Sequence, residues 1–237
     1  FPGGRVDPAD DDIVTSWCDL PAADAAARGP LPAFRVAALR ELFEEAGVLL
    51  ARTPARGFVS CDDPASAARF ADDREAVHAG TTTLRAVVER EGLRLALDAV
   101  VPFAHWVTPP IEVRRFDTWF FAARAPERQV PSHDAHESAG SGWFTPRAAL
   151  EACRRGQINL PPPTWATLRQ LEPFTSAADA LAWAARVDIP HRQPVVVHMN
   201  GAREIVLPSD HASDGDTGAV FETRFVWVDG RWLPGEA

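Results

Sequence analysis

The 237-residue chain has no lysine, no tyrosine, one methionine (Met199) and three cysteines. All 24 basic residues are therefore arginine, against 33 acidic residues, for a formal net charge of −9. That deficit of positive charge argues against duplex nucleic acid as a partner, because phosphate neutralisation needs a basic field. Cys18, Cys61 and Cys153 are odd in number and widely spaced, with no CxxC pair. That count argues against a disulfide framework or zinc knuckle, and a reducing compartment is expected. No apolar run approaches the roughly 18 residues that span a bilayer, and no signal-peptide pattern opens the chain. A start at Phe1, with Met199 the only methionine, reads as a truncated or processed product lacking at least one upstream strand.

What is present is ordinary for a folded protein: 46% hydrophobic and 24% charged residues. The length suits one large domain or two small ones, with enough core to dispense with disulfides. Residues 1–12 read as a strand end, a glycine turn and an acidic loop, and 13–32 as a mostly irregular insertion. A helix is expected over Ala33–Leu50, with Pro32 at its start and Gly47 as a stop. Two more are expected over Pro64–His78 and Thr82–Glu91. The apolar stretch Leu93–Pro109 suits a short helix and a strand, and the aromatic Arg115–Arg124 a buried strand. Residues 125–142 read as a polar loop. Trp143–Arg155 reads as a short strand and a helix opening at Thr145-Pro146, an N-cap and N1 pair. Leu160-Pro161-Pro162-Pro163 is a rigid break before a helix to about Leu171. In the tail, a helix over Ser176–Ala185 precedes strands at Val195–His198, Glu204–Leu207 and Thr223–Leu233, with Asp229-Gly230 as a hairpin turn.

The chemistry is concentrated in Arg40-Glu41-Leu42-Phe43-Glu44-Glu45-Ala46-Gly47-Val48. On a helix Glu41, Glu44 and Glu45 stand at i, i+3 and i+4 and share a face. Leu39, Leu42, Phe43 and Ala46 take roughly the opposite one. Three clustered carboxylates repel one another unless something neutralises them, and a hard divalent cation such as Mg²⁺ suits that role. A solvated acidic face is the alternative, and common enough to be favoured on these residues alone.

The wider pattern reverses that preference. Upstream, Phe1-Pro2-Gly3-Gly4 is a turn whose glycines let backbone approach a ligand. The nine-residue stretch resembles the second half of the Nudix box, G-x5-E-x7-R-E-U-x-E-E-x-G-U with U a bulky aliphatic. Arg40, Glu41, Leu42, Glu44, Glu45, Gly47 and Val48 match every defined position of that half. Gly4 matches the opening glycine, and Asp10 falls at the first acidic position. Asp10 and Arg40 stand 30 positions apart against 8 in the motif, an insertion of about 22 residues. An interrupted box resembles the coenzyme A diphosphatase branch, notably the peroxisomal acyl-coenzyme A diphosphatases. Arg115-Phe116-Asp117-Thr118, Trp143 and Leu160-Pro161-Pro162-Pro163 are similar to further landmarks of that branch.

The resemblance implies an α/β fold: a Nudix α/β/α sandwich with a mixed sheet, a helical insertion and a small α+β C-terminal extension. The Nudix domain would cover 1–172, with insertions at about 11–33 and 55–95, and the extension 173–237. It implies divalent-metal-dependent hydrolysis of coenzyme A or acyl-coenzyme A to 3′,5′-ADP and (acyl-)4′-phosphopantetheine, with Mg²⁺ or Mn²⁺ as cofactor. Glu41, Glu44, Glu45 and the Gly4 carbonyl would hold metal, Glu137 would join them, and Arg40 would orient a carboxylate of the box. Glu41 and Glu137 are the candidate general bases. Arg114, Arg115 and Phe116 are candidates for substrate binding, with a phosphate grip set against an exposed strand edge and ring stacking against core packing.

The Asp10-Asp11-Asp12 run fits a solvated loop better than a cation site, and His133-Asp134-Ala135-His136-Glu137 lacks the helical His-Glu-x-x-His spacing. Trp106 and Phe116 could stack on adenine, but aromatics in apolar runs more often pack in a core. The helices over Pro64–Glu91 could cover an acyl chain, pack, or form a homodimer. The partners expected are a small-molecule nucleotide, without nucleic acid or membrane. Competing readings are the same chemistry on ADP-ribose or NADH, a silent nucleotide-binding regulator, and an acidic interaction module. The terminal Pro234-Gly235-Glu236-Ala237 is no Ser-Lys-Leu-type address. With the Arg/Ala-rich composition, it points to a bacterial cytoplasm.

Overall fold

A computed structural model describes residues 3–12, 17–132, 142–199, 202–207 and 224–235. The chain divides into two compact units. One comprises Phe1–Phe103 and Phe121–Gly142; the other comprises Ala104–Phe120 and Trp143–Ala237. Helices are interleaved with mixed sheets, as expected for the α/β class. No helix among the described residues is long and apolar enough to cross a membrane.

The first unit runs α1 (Pro8–Asp12), β1 (Cys18–Asp19), α2 (Ala23–Ala27), α3 (Pro32–Ala46), β2 (Ala51–Arg52), α4 (Pro64–His78), α5 (Leu84–Glu91), β3 (Arg94–Ala96) and a 3-10 turn at Leu97–Ala99. The stretch 13–32 is therefore less irregular than its composition suggests, since it contains β1 and α2. β3 is the centre of a three-stranded sheet, parallel to β1 (Cys18 opposite Leu95) and antiparallel to β2 (Ala51 opposite Leu95). Burial pushes the Cys18 thiol up to about 11, so it packs as a thiol and is no nucleophile.

α3 is the element that matters for function. Pro32 sits in its first turn, where the missing N–H costs nothing. The helix ends at Ala46 rather than Leu50. Gly47 adopts φ 65°, and its N–H and that of Val48 return to the carbonyls of Phe43 and Leu42. Val36, Leu39 and Phe43 are fully buried on its inner face. Beyond the turn, Gln129 is buried and ties three backbone groups together. Its Oε1 accepts from Leu49 N–H at 2.8 Å, and its Nε2 donates to the carbonyls of Leu49 and Val59 at 2.9 Å. The adjacent Ser132 N–H donates to Ala46 O at 3.0 Å. The start of the expected polar loop is thus pinned against the end of α3.

β4 (Val101–Val107) carries the chain into the second unit and β5 (Asp117–Ala122) carries it back. β5 was expected to be buried, yet only Phe121 is. In the order β5-β4-β6 it is an edge strand, so one flank faces no neighbour in that sheet. The second unit continues with α6 (Pro146–Arg154), α7 (Pro162–Leu171), α8 (Ala177–Ala184) and β6 (His191–Arg192), which pairs in parallel with β4. No strand forms at Trp143-Phe144; both side chains are exposed. Thr145 and Ser176 cap α6 and α8, with hydroxyls accepting from Ala148 and Asp179 N–H. β7 (Val195–Met199), β8 (Ala202–Val206), β9 (Arg224–Val228) and β10 (Arg231–Pro234) form an antiparallel meander. Its last turn is Asp229-Gly230, both at positive φ (48° and 80°), as a two-residue hairpin demands.

Replacing Gln129 by Leu strands the Leu49 N–H and two carbonyls in the interior. Urea unfolding should show a loss of about 2–3 kcal/mol; an unchanged midpoint would mean that the amide does not fasten this segment.

Candidate active site

The outward face of α3 carries Arg40, Glu41 and Glu44, and the guanidinium of Arg40 organises the group. Its Nη1 donates to Glu41 Oε1 at 2.8 Å and to both Glu44 oxygens at 3.3 Å. Its Nε donates to Asp10 Oδ1 at 3.1 Å, and its Nη2 to Asp10 Oδ2 at 3.3 Å and to the Arg5 carbonyl at 2.6 Å. Burial by itself would lower the Arg40 pKa, but the hydrogen bonds and charges of Asp10 and Glu41 outweigh it and raise it above its ordinary value. The guanidinium is charged at every working pH.

Asp10 corrects the sequence expectation of a solvated acidic loop. It is 1% exposed and lies in α1, with Pro8 as the first helical residue. Its Oδ2 accepts the Asp7 N–H at 2.8 Å, so it closes the start of α1 while pairing with Arg40. The inserted residues loop out, and the first acidic position of the motif returns to the arginine. Asp11 stays exposed.

Gly4 is also brought to this face. A Cβ there would lie 1.9 Å from Glu41 Oε1 and 2.1 Å from its carboxyl carbon. A side chain at this position would push that carboxylate aside, whereas a glycine lets the backbone pass against it. Glu41 is 9% exposed, and burial raises the Glu44 pKa despite the opposing Arg40 charge. Glu45 is half-buried at the next helical position.

A residue that the sequence reading missed supports this helix from behind. Arg74 of α4 donates to the Glu44 carbonyl at 2.7 Å, the Glu45 carbonyl at 2.8 Å and Ser132 Oγ at 3.0 Å. The last carbonyls of a helix lack intrahelical donors and carry its negative dipole end, so a cation suits them. Nothing in the Nudix pattern marks Arg74; the legible signal was only an arginine inside an inserted helix.

The donors gathered on α3 are oxygens, several of them partly desolvated, which is the chemistry a hard divalent cation selects. Among the described residues no three His, Cys, Asp or Glu groups converge closely enough to hold an ion. Glu41 and Glu44 instead turn onto Arg40. Glu137, with His133, Asp134 and His136, lies outside the described residues.

In the second unit, Trp106, Arg114 and Phe116 line one cavity of about 440 Å³. Its other walls come from Pro161–Pro163 at the start of α7 and from Trp227 and Trp232 of the meander. Phe116 is well exposed rather than core. Arg115 is separate: its Nε donates to Thr108 O at 3.2 Å and it does not line the cavity. In the same unit, His105 stacks on Trp119 at 4.2 Å and bonds Asp117 at 2.6 Å, a pair that the sequence did not suggest.

Residues 27–171 match the family described as the NUDT19 Nudix domain. The chain is 33% identical over 163 residues to a Homo sapiens protein named acyl-coenzyme A diphosphatase NUDT19, covering 64% of this chain and 43% of that protein. A Gallus gallus protein of the same name is 29% identical over 220 residues, covering 76% and 58%. The chain thus spans about half the length of the curated relatives it matches. Among solved structures, a NUDIX hydrolase from Alicyclobacillus acidocaldarius superposes with a TM-score of 0.64 at 29% identity, over 77% of this chain and 79% of that one.

Removing Asp10 leaves a mostly buried guanidinium short of its main partner. Asp10→Ala should destabilise the protein by about 3 kcal/mol in chemical denaturation, and an effect within experimental error would contradict the pairing. Burial also makes ionised Glu44 costly to the fold. Because its folded pKa is raised, its contribution is intact below the unfolded value and is lost as pH rises through the folded one. Melting temperature across that acidic window should fall less with rising pH in Glu44→Gln than in the unaltered protein; parallel curves would contradict the shift.

Proposed function

The chain belongs to the NUDT19 Nudix domain family, and from that premise we propose that it hydrolyses the pyrophosphate of coenzyme A or an acyl-coenzyme A. The products are 3′,5′-ADP and (acyl-)4′-phosphopantetheine, and the cofactor is Mg²⁺ or Mn²⁺. The names of the relatives support the substrate class. The observation that carries the chemistry is the Arg40-centred group, in which Asp10 returns across the insertion and Gly4 lies against Glu41.

In this reading Glu41, Glu44 and Glu45, with the Gly4 carbonyl and Glu137, would hold the cation, which would supply charge to neutralise the pyrophosphate and favour charge developing on the attacking and leaving oxygens. Water attacks phosphorus, the bond to the bridging oxygen breaks, and the water proton passes to a carboxylate. Glu41 and Glu137 are the candidates for that base. Arg40 stays fully charged and binds Asp10, so it orients the carboxylates and does not touch substrate. Arg74 holds the helix end that presents Glu44 and Glu45. The three widely spaced cysteines support a reducing setting, and the lysine-free, Arg/Ala-rich composition supports a bacterial cytoplasm.

Incubation with coenzyme A, acyl-coenzyme A, ADP-ribose and NADH under Mg²⁺ or Mn²⁺ should release 3′,5′-ADP from the coenzyme A substrates only. Preferential AMP release from ADP-ribose would overturn the substrate assignment. Glu44→Gln should keep its melting cooperativity and lose metal-dependent turnover by about 100-fold or more; near-normal turnover would sink the metal assignment.

A further inference from the structure

The cavity of the second unit has a size typical of small-ligand sites, about 440 Å³ against roughly 300–1,000 Å³ for such pockets. Its walls include Ile205, Trp227 and Trp232, which lie beyond the residues that match the family. It is therefore not built from the matched Nudix domain alone.

Three features decide what it can hold. The first is the end of α7. A helix N-terminus ordinarily presents free N–H groups and attracts anions. Here Pro162 and Pro163 occupy the first helical positions and Pro161 the cap, and the first intrahelical bond recorded runs from Trp165 N–H to Pro161 O. Those prolines have no N–H to offer, so the helix end meets the cavity mainly as hydrocarbon, with Thr164 its one residue there that carries donors.

The second feature is that the backbone of Thr108 and Phe116 beside the cavity is already committed. Thr108 N–H donates to Phe116 O at 2.9 Å, and Phe116 N–H donates to Thr108 Oγ1 at 3.0 Å. Thr108 O accepts from Arg115 and from Gln193. The Trp106 indole N–H is buried away from solvent and bonds nothing among the described residues. A nucleobase or sugar needs directed donors and acceptors, and these walls offer few.

The third feature is Arg114. It lines the cavity, is exposed, and makes no hydrogen bond or ion pair among the described residues. Glu112 is the other charged lining residue, and it has an interaction partner. A hydrocarbon cavity with one uncommitted guanidinium fits a chain that is apolar along its length and anionic at an end.

We propose that this cavity binds a medium-length to long aliphatic chain attached to an anionic group, either the acyl chain of an acyl-coenzyme A, whose charge lies in the coenzyme A moiety, or that of a free fatty acid. The inference rests on the hydrolase reading only for the first of these sources. Walls of Pro, Trp, Val and Ile give affinity through burial of methylenes, each strengthening binding about fourfold.

The test is calorimetric titration of the whole chain in EDTA, which halts metal-dependent turnover. The probes are octanoyl-, decanoyl- and dodecanoyl-coenzyme A, coenzyme A itself, and the matching free fatty acids. Affinity should rise with each added methylene until the cavity is filled. Tightening in both series assigns a fatty-acid site, and tightening only in the thioester series assigns the substrate's acyl chain. Trp227 is partly exposed, so Trp227→Arg folds; it should weaken dodecanoyl binding at least tenfold and flatten the chain-length trend. Affinity independent of chain length in the unaltered protein, or a trend that survives Trp227→Arg, overturns the proposal. If chain binding is found but neither coenzyme A nor any of the acyl-coenzyme A probes is hydrolysed when Mg²⁺ is restored, the hydrolase reading fails and the chain site stands.

Discussion

A single guanidinium carries the geometry of the candidate site. Arg40 is mostly buried, and a buried charge must be paired or it costs several kcal/mol. It meets that demand with Asp10, Glu41, Glu44 and the Arg5 carbonyl. The consequence is long-range. The start of the chain and α3 close on each other although about 22 residues intervene beyond the usual spacing. Loop closure grows only slowly in cost with length, so the insertion is tolerated as long as the pairing at its two ends survives. Glu41 and Glu44 are fixed by the same contact, and burial raises the Glu44 pKa. The group is therefore poised: like charges are held together by one cation of the protein, on a face whose oxygen donors suit a second.

The support behind that face is electrostatic too. α3 ends in a left-handed Gly47, and its exposed carbonyls would otherwise look to solvent. Arg74 takes two of them and also reaches Ser132, while Ser132 N–H takes the Ala46 carbonyl. The helical insertion is thereby joined to the segment that leads toward Glu137. Gln129 performs the same service with neutral groups. These bonds explain how a helix presenting three acidic side chains stays in register at its C-terminal end, where negative charge is least welcome.

Much of this was legible in the sequence. Pro32, Gly47 and the periodicity between them mark α3, and Thr145, Ser176 and Asp229-Gly230 mark caps and a turn for reasons that depend on a few adjacent residues. Arg40 bonds Glu41 and Glu44, its neighbours in the motif, and Gly4 lies against Glu41. Asp10 was misjudged because its neighbours Asp11 and Asp12 make the stretch look solvated, whereas its partner lies 30 positions away. Asp7-Pro8 before it was the local sign of a helix start. β5 looked buried because aromatics and alternation report a strand but not its place in a sheet. The cavity was beyond sequence reasoning, since its walls come from four separate stretches and its character depends on which backbone groups are already bonded. Arg74 gave no signal, because an arginine on an inserted helix is ordinary until its partners are known.

The central claim is that the carboxylates gathered by Arg40 form a cation site. Free Mn²⁺ followed by electron paramagnetic resonance during titration into the metal-stripped protein tests it without reference to any substrate. The account predicts saturable uptake that is abolished in the Glu41→Gln/Glu44→Gln double variant while that variant remains folded. Uptake of equal strength in the double variant would contradict it.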